Sequence, residues 1–291
     1  MAKAAANGIH IEYETFGDSA TRPLLLIGGL SDQLIHWDDE ICKNLSQRGH
    51  YVIRFDNRDA GLSTKFDQEG VPDLGALARG EKDPSYTLED MADDAVGLLD
   101  ALDIRKAHIC GASMGGMIAQ TIAIRHPSRI LSLISIYSTT GNKDLPPPKP
   151  EMMELLLAPA PSEREAYIEH MLKLFKAMAG RGFVFDETWT RMITARAYDR
   201  SFSPQGTIRQ IAAIMTQANR KKALASVTVP ALVIHGTNDP VVPMEAGKDT
   251  AEAIPGARLM LIDGMGHDLP HSGAWPRIVE AIAAHTLGAI P

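Results

Sequence analysis

His108-Ile109-Cys110-Gly111-Ala112-Ser113-Met114-Gly115-Gly116 joins a short apolar run at 107–110 to a Gly- and Ala-rich helical run at 114–125, which stops near Pro127. The stretch holds G-x-S-x-G. Three fixed positions of common residues recur by chance in roughly one chain of this length in ten, so the pattern alone says little. Its setting says more, because a buried strand turning sharply into a helix is what a nucleophile elbow requires. Small residues at Gly111 and Gly115 let strand and helix pass closely, and the helix from Met114 aims unpaired N–H groups at any anion beside Ser113.

Outward from the elbow, strand and helix signals alternate. Asn7-Gly8 between 3–6 and 9–13 reads as a hairpin with a type I′ turn. Residues 24–27 are apolar on both faces, as in the middle of a covered sheet. A helical pattern at 37–48, a strand at 51–55, and a T-x-x-D cap at Thr87 before apolar residues at helical spacing follow. A further strand covers 130–136. The resulting expectation is an α/β fold, a mostly parallel central sheet with helices on both faces.

From about 144 to 222 the rhythm breaks into helix patterns without a strand, opening on a stiff connector, Pro146-Pro147-Pro148-Lys149-Pro150. The alternation then resumes with strands at 231–235 and 258–262 and helices at 244–254 and 275–286. Residues 1–143 and 223–291 are therefore expected to form the core, with 144–222 inserted as a helical cap. Six of the 13 methionines and four of the seven phenylalanines fall in the insertion, enough to line an adaptable apolar pocket. Trp189 is a candidate wall of that pocket.

Composition bounds the function. With 29 Lys and Arg against 36 Asp and Glu, the net charge of -7 lacks the basic excess of a nucleic-acid surface. The longest apolar run, 24–30, falls far short of the about 20 residues of a membrane span, and the first ten residues lack a signal-peptide core. Two cysteines, Cys42 and Cys110, build no disulfide framework, and a cytoplasmic location is expected. Cys110, buried beside the elbow, is expected to behave as a small hydrophobe rather than a second nucleophile. Oligomeric state has no signature here.

A serine hydroxyl needs a base. Of ten histidines, His267 is the candidate, in the loop Asp263-Gly264-Met265-Gly266-His267 after the last expected strand. His10, His36 and His126 read as structural or surface residues. His271 is four residues from His267, but Pro270 and the absence of a third ligand argue against a metal pair. No metal and no cofactor are expected. Asp239, in Gly236-Thr237-Asn238-Asp239-Pro240, lies at the C-terminal end of a strand on the same sheet rim and is the candidate to orient the imidazole. Asp263 reads as a strand-end residue, and Asp268 is too close in sequence to turn onto the ring. The oxyanion donors are expected to be the backbone N–H groups of Met114 and, by position after Gly28-Gly29, Leu30.

With these pieces assembled the chain resembles the α/β-hydrolase superfamily over nearly its whole length, including the order Ser113, Asp239, His267. Phe55-Asp56-Asn57-Arg58-Asp59-Ala60-Gly61-Leu62-Ser63-Thr64 and Gly264-Met265-Gly266-His267-Asp268-Leu269-Pro270 resemble the branch containing aclacinomycin methylesterase and related bacterial carboxylesterases. The resemblance implies a cofactor-free serine esterase with a helical cap. Many relatives carry His-Gly where this chain has Gly28-Gly29, a change that leaves backbone donation available. The 56–63 segment reads as a turn held by side-chain hydrogen bonds near the mouth of the site, without a direct chemical role.

The expected activity is hydrolysis of an uncharged, moderately hydrophobic small-molecule ester through an acyl-enzyme. Lactonase, thioesterase, carbon–carbon bond hydrolase and perhydrolase activities share this triad. A ligand-binding or sensory protein on a hydrolase scaffold is the rival of a different class. Epoxide hydrolases and haloalkane dehalogenases of this fold carry Asp where Ser113 stands.

Overall fold

A computed structural model describes residues 1–270 and 273–288. Eight strands form one sheet: β1 (Ala2–Ala6), β2 (Ile9–Phe16), β3 (Arg22–Ile27), β4 (His50–Phe55), β5 (Ala107–Ala112), β6 (Ile130–Ile136), β7 (Ala231–Gly236) and β8 (Arg258–Ile262). Their spatial order is β1-β2-β4-β3-β5-β6-β7-β8. The pairs β1/β2 and β2/β4 are antiparallel, and every other neighbouring pair is parallel.

Local chemistry explains the elements. Asn7 and Gly8 both take positive φ, 48° and 78°, the conformation that turns β1 into β2. The Asn7 side chain also donates to Asp94 Oδ1 at 2.9 Å, fastening the hairpin to the helix Leu88–Ala101. That helix starts in a reciprocal cap: Asp90 N–H donates to Thr87 Oγ1, and Thr87 N–H donates to Asp90 Oδ2. The helical pattern at 37–48 resolves into a helix Asp39–Gln47 whose N-cap, Asp38, accepts from the Glu40 amide. The connector expected to run through Pro150 ends one residue sooner, because Pro150 opens the helix Pro150–Leu157. Proline suits a first helical position, where its missing N–H costs no hydrogen bond.

Both sheet faces are covered. Leu25, Ile27 and Ile109 pack on one side against the helices Leu88–Ala101 and Met114–Arg125. Leu24, Leu26 and Cys110 pack on the other against Asp39–Gln47 and Ala274–Leu287. Each fully buried Leu or Ile here contributes about 1.5–3 kcal/mol of transfer free energy, which fixes the central strands firmly. Among the described residues no helix is long and apolar enough to cross a membrane.

Between β6 and β7 the chain forms only helices: Pro150–Leu157, Arg164–Met178, Glu187–Arg200, Pro204–Met215 and Lys221–Leu224. β5 ends one residue before Ser113, β7 three before Asp239, and β8 five before His267, so all three residues follow strands at one rim of the parallel sheet.

Candidate active site

Ser113 sits at φ 54°, ψ −119°, a conformation that costs a non-glycine residue about 1–3 kcal/mol and persists only where its surroundings enforce it. Its N–H donates to Ile136 O at the end of β6 (3.0 Å), and its carbonyl accepts from Ser138 Oγ (2.8 Å). The neighbouring glycines are sterically obligatory. A Cβ on Gly111 would lie 1.9 Å from Gly115 O, and one on Gly115 would lie 2.2 Å from Ile27 O. Strand and helix therefore cross at backbone contact, and the serine hydroxyl stands above the rim.

The structure brings the three residues nominated from sequence into one hydrogen-bonded chain. His267 Nε2 is 2.8 Å from Ser113 Oγ, and His267 Nδ1 is 2.8 Å from Asp239 Oδ2. Facing a carboxylate, Nδ1 carries the ring proton, which leaves Nε2 to accept from the serine hydroxyl. Asp239 Oδ1 accepts from the Val241 and Val242 amides, both at 2.8 Å. Burial would raise the Asp239 carboxyl, but the His267 charge and hydrogen bonds from His235 and His267 outweigh it and hold the group well below the usual carboxylate range. The Tyr137 ring packs on the His267 imidazole, centroids 4.7 Å apart, and limits its swing.

Met114 is the first residue of its helix, and Gly29 comes close enough that a Cβ there would lie 3.4 Å from Ser113 Cβ. Among the described residues the amides of Met114 and Leu30 donate to no protein acceptor. One of these amides directly follows the serine in sequence, and the other directly follows Gly29.

The other titratable candidates are engaged outside this hydrogen-bonded chain. Asp263 accepts from Thr237 Oγ1 at 3.0 Å. His126 pairs with Asp93, and His36 bonds within the turn at Gln33. Cys110 is fully buried and its thiol pushed above its ordinary range, while burial pushes the Cys42 thiol up to about 12. Trp189 donates to Asp38 Oδ2 at 3.2 Å, meets Trp275 edge-on, and packs beside Leu34, Ile35, Ile193 and Ala197. His271 lies outside the described residues.

Sequence reasoning missed how the insertion is seated. Arg200 pairs with Asp56 Oδ2 at 2.8 Å, and Arg209, fully buried, forks onto both oxygens of Asp59 at 2.8 Å each. The turn at 56–63 is held by its own side chains, with Asp56 Oδ2 accepting from the Leu62 amide and Ser63 Oγ donating to Asp56 O, both at 2.7 Å, and it is also the anchor of the insertion. Gln33, in the loop after β3, donates to Ala197 O and Ser201 O and accepts from Arg200. Around the histidine loop, Gly182 N–H donates to Gly264 O at 2.9 Å, and a Cβ on Gly180 would lie 2.0 Å from that oxygen. The pattern Gly180-Arg181-Gly182 within a helical insertion was the available sign of such close backbone approach.

Residues 22–274 match the family model described as alpha/beta hydrolase fold. The chain is 32% identical to rhodomycin D methylesterase DauP of Streptomyces sp. (strain C5), covering 95% of this chain and 94% of that protein. Identity to rhodomycin D methylesterase DnrP of Streptomyces peucetius is also 32%, with the same coverage. Among solved structures, the esterase EaEST from Exiguobacterium antarcticum shares the fold with a TM-score of 0.78 at 21% identity, covering 98% of this chain and 99% of that one. The chain belongs to the α/β-hydrolase family, in the branch that holds the rhodomycin D methylesterases.

Proposed function

We propose that the chain hydrolyses carboxylic esters through an acyl-enzyme on Ser113. Ser113 Oγ attacks the ester carbonyl as His267 Nε2 takes its proton. The Leu30 and Met114 amides hold the resulting oxyanion, and the imidazolium then protonates the departing alcohol. Water, deprotonated by the same Nε2, attacks the acyl-enzyme, and collapse of the second tetrahedral species releases the acid and returns the proton to Ser113. Asp239 keeps the proton on Nδ1 and stabilises the charged ring. The observation that carries this reading is the unbroken chain Ser113–His267–Asp239, with two contacts of 2.8 Å.

Residues 144–222 are proposed as the cap over this site. Its Met, Leu and Phe content, with Trp189 as one wall, favours uncharged, moderately hydrophobic small-molecule esters. The methylesterase relatives support a bulky methyl ester among them. A fluorophosphonate probe should label the wild type and spare Ser113→Ala, which should lose turnover of p-nitrophenyl esters by at least roughly 10⁴-fold with its fold intact. Retained turnover would remove Ser113 from the mechanism. A parallel panel of esters, lactones and thioesters separates ester hydrolysis from the other activities open to this triad.

A further inference from the structure

The loop after β3 comes up to Ser113 at Gly29, and of its three consecutive main-chain amides at 29–31 the outer two are held by side chains. Gly29 N–H donates to Asp32 Oδ2 at 2.8 Å, and Ser31 N–H donates to Gln210 Oε1 at 2.8 Å. Between them the Leu30 N–H has no protein acceptor among the described residues. Asp32 belongs to the loop itself. Gln210 belongs to the helix Pro204–Met215, 179 residues further along the chain.

Gln210 is fully buried, and its other end is also engaged: Nε2 donates to Arg58 O at 2.8 Å. With a donor on one side and an acceptor on the other, its amide has a single satisfactory orientation. Ser31 takes φ 59°, a left-handed conformation that a serine keeps only when held. The peptide planes before and after the Leu30 amide are thus pinned, one by Asp32 and one by Gln210. The plane that carries the Leu30 N–H is itself held weakly through Gly29 O, which accepts from the Asp32 amide at 3.3 Å, and the two pinned neighbours fix its remaining freedom.

We propose that Gln210 is a positioning residue for ester hydrolysis: by gripping the Ser31 amide it aims the Leu30 amide at the oxyanion, so the oxyanion hole is complete only while the cap is seated. The proposal rests on the reading of Ser113 as nucleophile and Leu30 as donor. Gln33 ties the same loop to the cap through Ala197, Ser201 and Arg200, so loss of Gln210 alone leaves the cap attached.

The test is Gln210→Met, close in shape but without the amide, assayed with p-nitrophenyl butyrate and with an aryl trifluoromethyl ketone that forms an oxyanion on the serine. The expected result is a kcat lower by roughly 10–100-fold, less than the 10²–10³ for a donor removed outright, with KM within about twofold. Ketone affinity should fall by the same factor as kcat. Wild-type kcat and ketone affinity in the variant would overturn the proposal, as would a loss confined to KM. Should Gln210→Met not fold, Gln210→Asn, too short to span Ser31 and Arg58, is read by the same two outcomes. Wild-type labelling by fluorophosphonate is the control. If Ser113 is labelled and Ser113→Ala is dead while the Gln210 variants match wild type, the clamp alone falls. If Ser113→Ala still turns over, the nucleophile reading falls and takes the clamp with it.

Discussion

The main-chain amide of His267 donates to the carbonyl oxygen of Met178 at 2.9 Å, so the imidazole facing Ser113 stands on a peptide gripped by the insertion. The grip depends on glycines whose side-chain space is filled by backbone. A Cβ on Gly180 would meet Gly264 O at 2.0 Å and Gly266 N at 2.3 Å. Gly180→Ala is therefore expected to push the histidine loop back, lowering kcat by roughly 10–100-fold and stability by about 1–3 kcal/mol. Steady-state kinetics beside a urea titration checks this. A destabilised variant with unchanged kcat would show that the contact is structural only.

Asp239→Asn preserves shape but lets the imidazole take the wrong tautomer, and a kcat loss of roughly 10⁴-fold is expected. The same carboxylate sets an acid limb of stability. Its folded pKa lies below the unfolded value of 3.8, so its contribution is present above that value and lost as the pH falls toward the folded one. Urea midpoints measured from about pH 5 down to pH 3 should fall more steeply for wild type than for Asp239→Asn. Parallel lines would contradict the assignment.

Asp268 has the opposite sign. Burial pushes its carboxyl up to about 6, against the nearby amides of Gly266 and Gly180 and the His267 charge, and its Oδ1 is buried without a hydrogen-bond partner among the described residues. A group with a raised folded pKa contributes stability that is complete below the unfolded value and lost as pH rises through the folded one. Wild type is expected to lose on the order of 2 kcal/mol between about pH 4 and pH 7 from this group, and Asp268→Asn to lose none of it. Chemical denaturation of both proteins across that range decides the matter, and equal slopes would count against Asp268.

What the sequence made legible was local. Asn7-Gly8, the Thr87 cap and the approach of Gly111 to Gly115 each depend on neighbours within a few positions, and the structure realises all three. Ser113, Asp239 and His267 could be named because each follows a recognisable strand in a known order. The seat of the insertion was illegible for a physical reason. Arg209 meets Asp59 across 150 positions and Gln210 meets Ser31 across 179, with no periodicity to announce either pairing. A buried arginine and an exposed one look alike until tertiary structure removes the water around them.

The Arg209–Asp59 pair supplies a fourth prediction. Both side chains are fully buried, and Arg209→Leu would leave the carboxylate, among the described residues, with only the Tyr86 hydroxyl and the Phe66 amide. The expected cost is about 3–5 kcal/mol, with partial recovery in Arg209→Leu/Asp59→Leu, because the double change removes the stranded charge. Thermal melts of the two single variants and the double variant complete the cycle. Additive losses would mean the pair is not coupled.

The acidic sockets at Asp56 and Asp59 bear on how enzymes of this kind could be re-engineered. Grafting a foreign insertion to change substrate range would strand two carboxylates in the dry interior unless the transplant carried cations at matching places. Successful chimeras should therefore be those in which sockets and plugs travel together, and a designer would do better to transfer the 56–63 turn with its insertion than to optimise the insertion's inner surface alone.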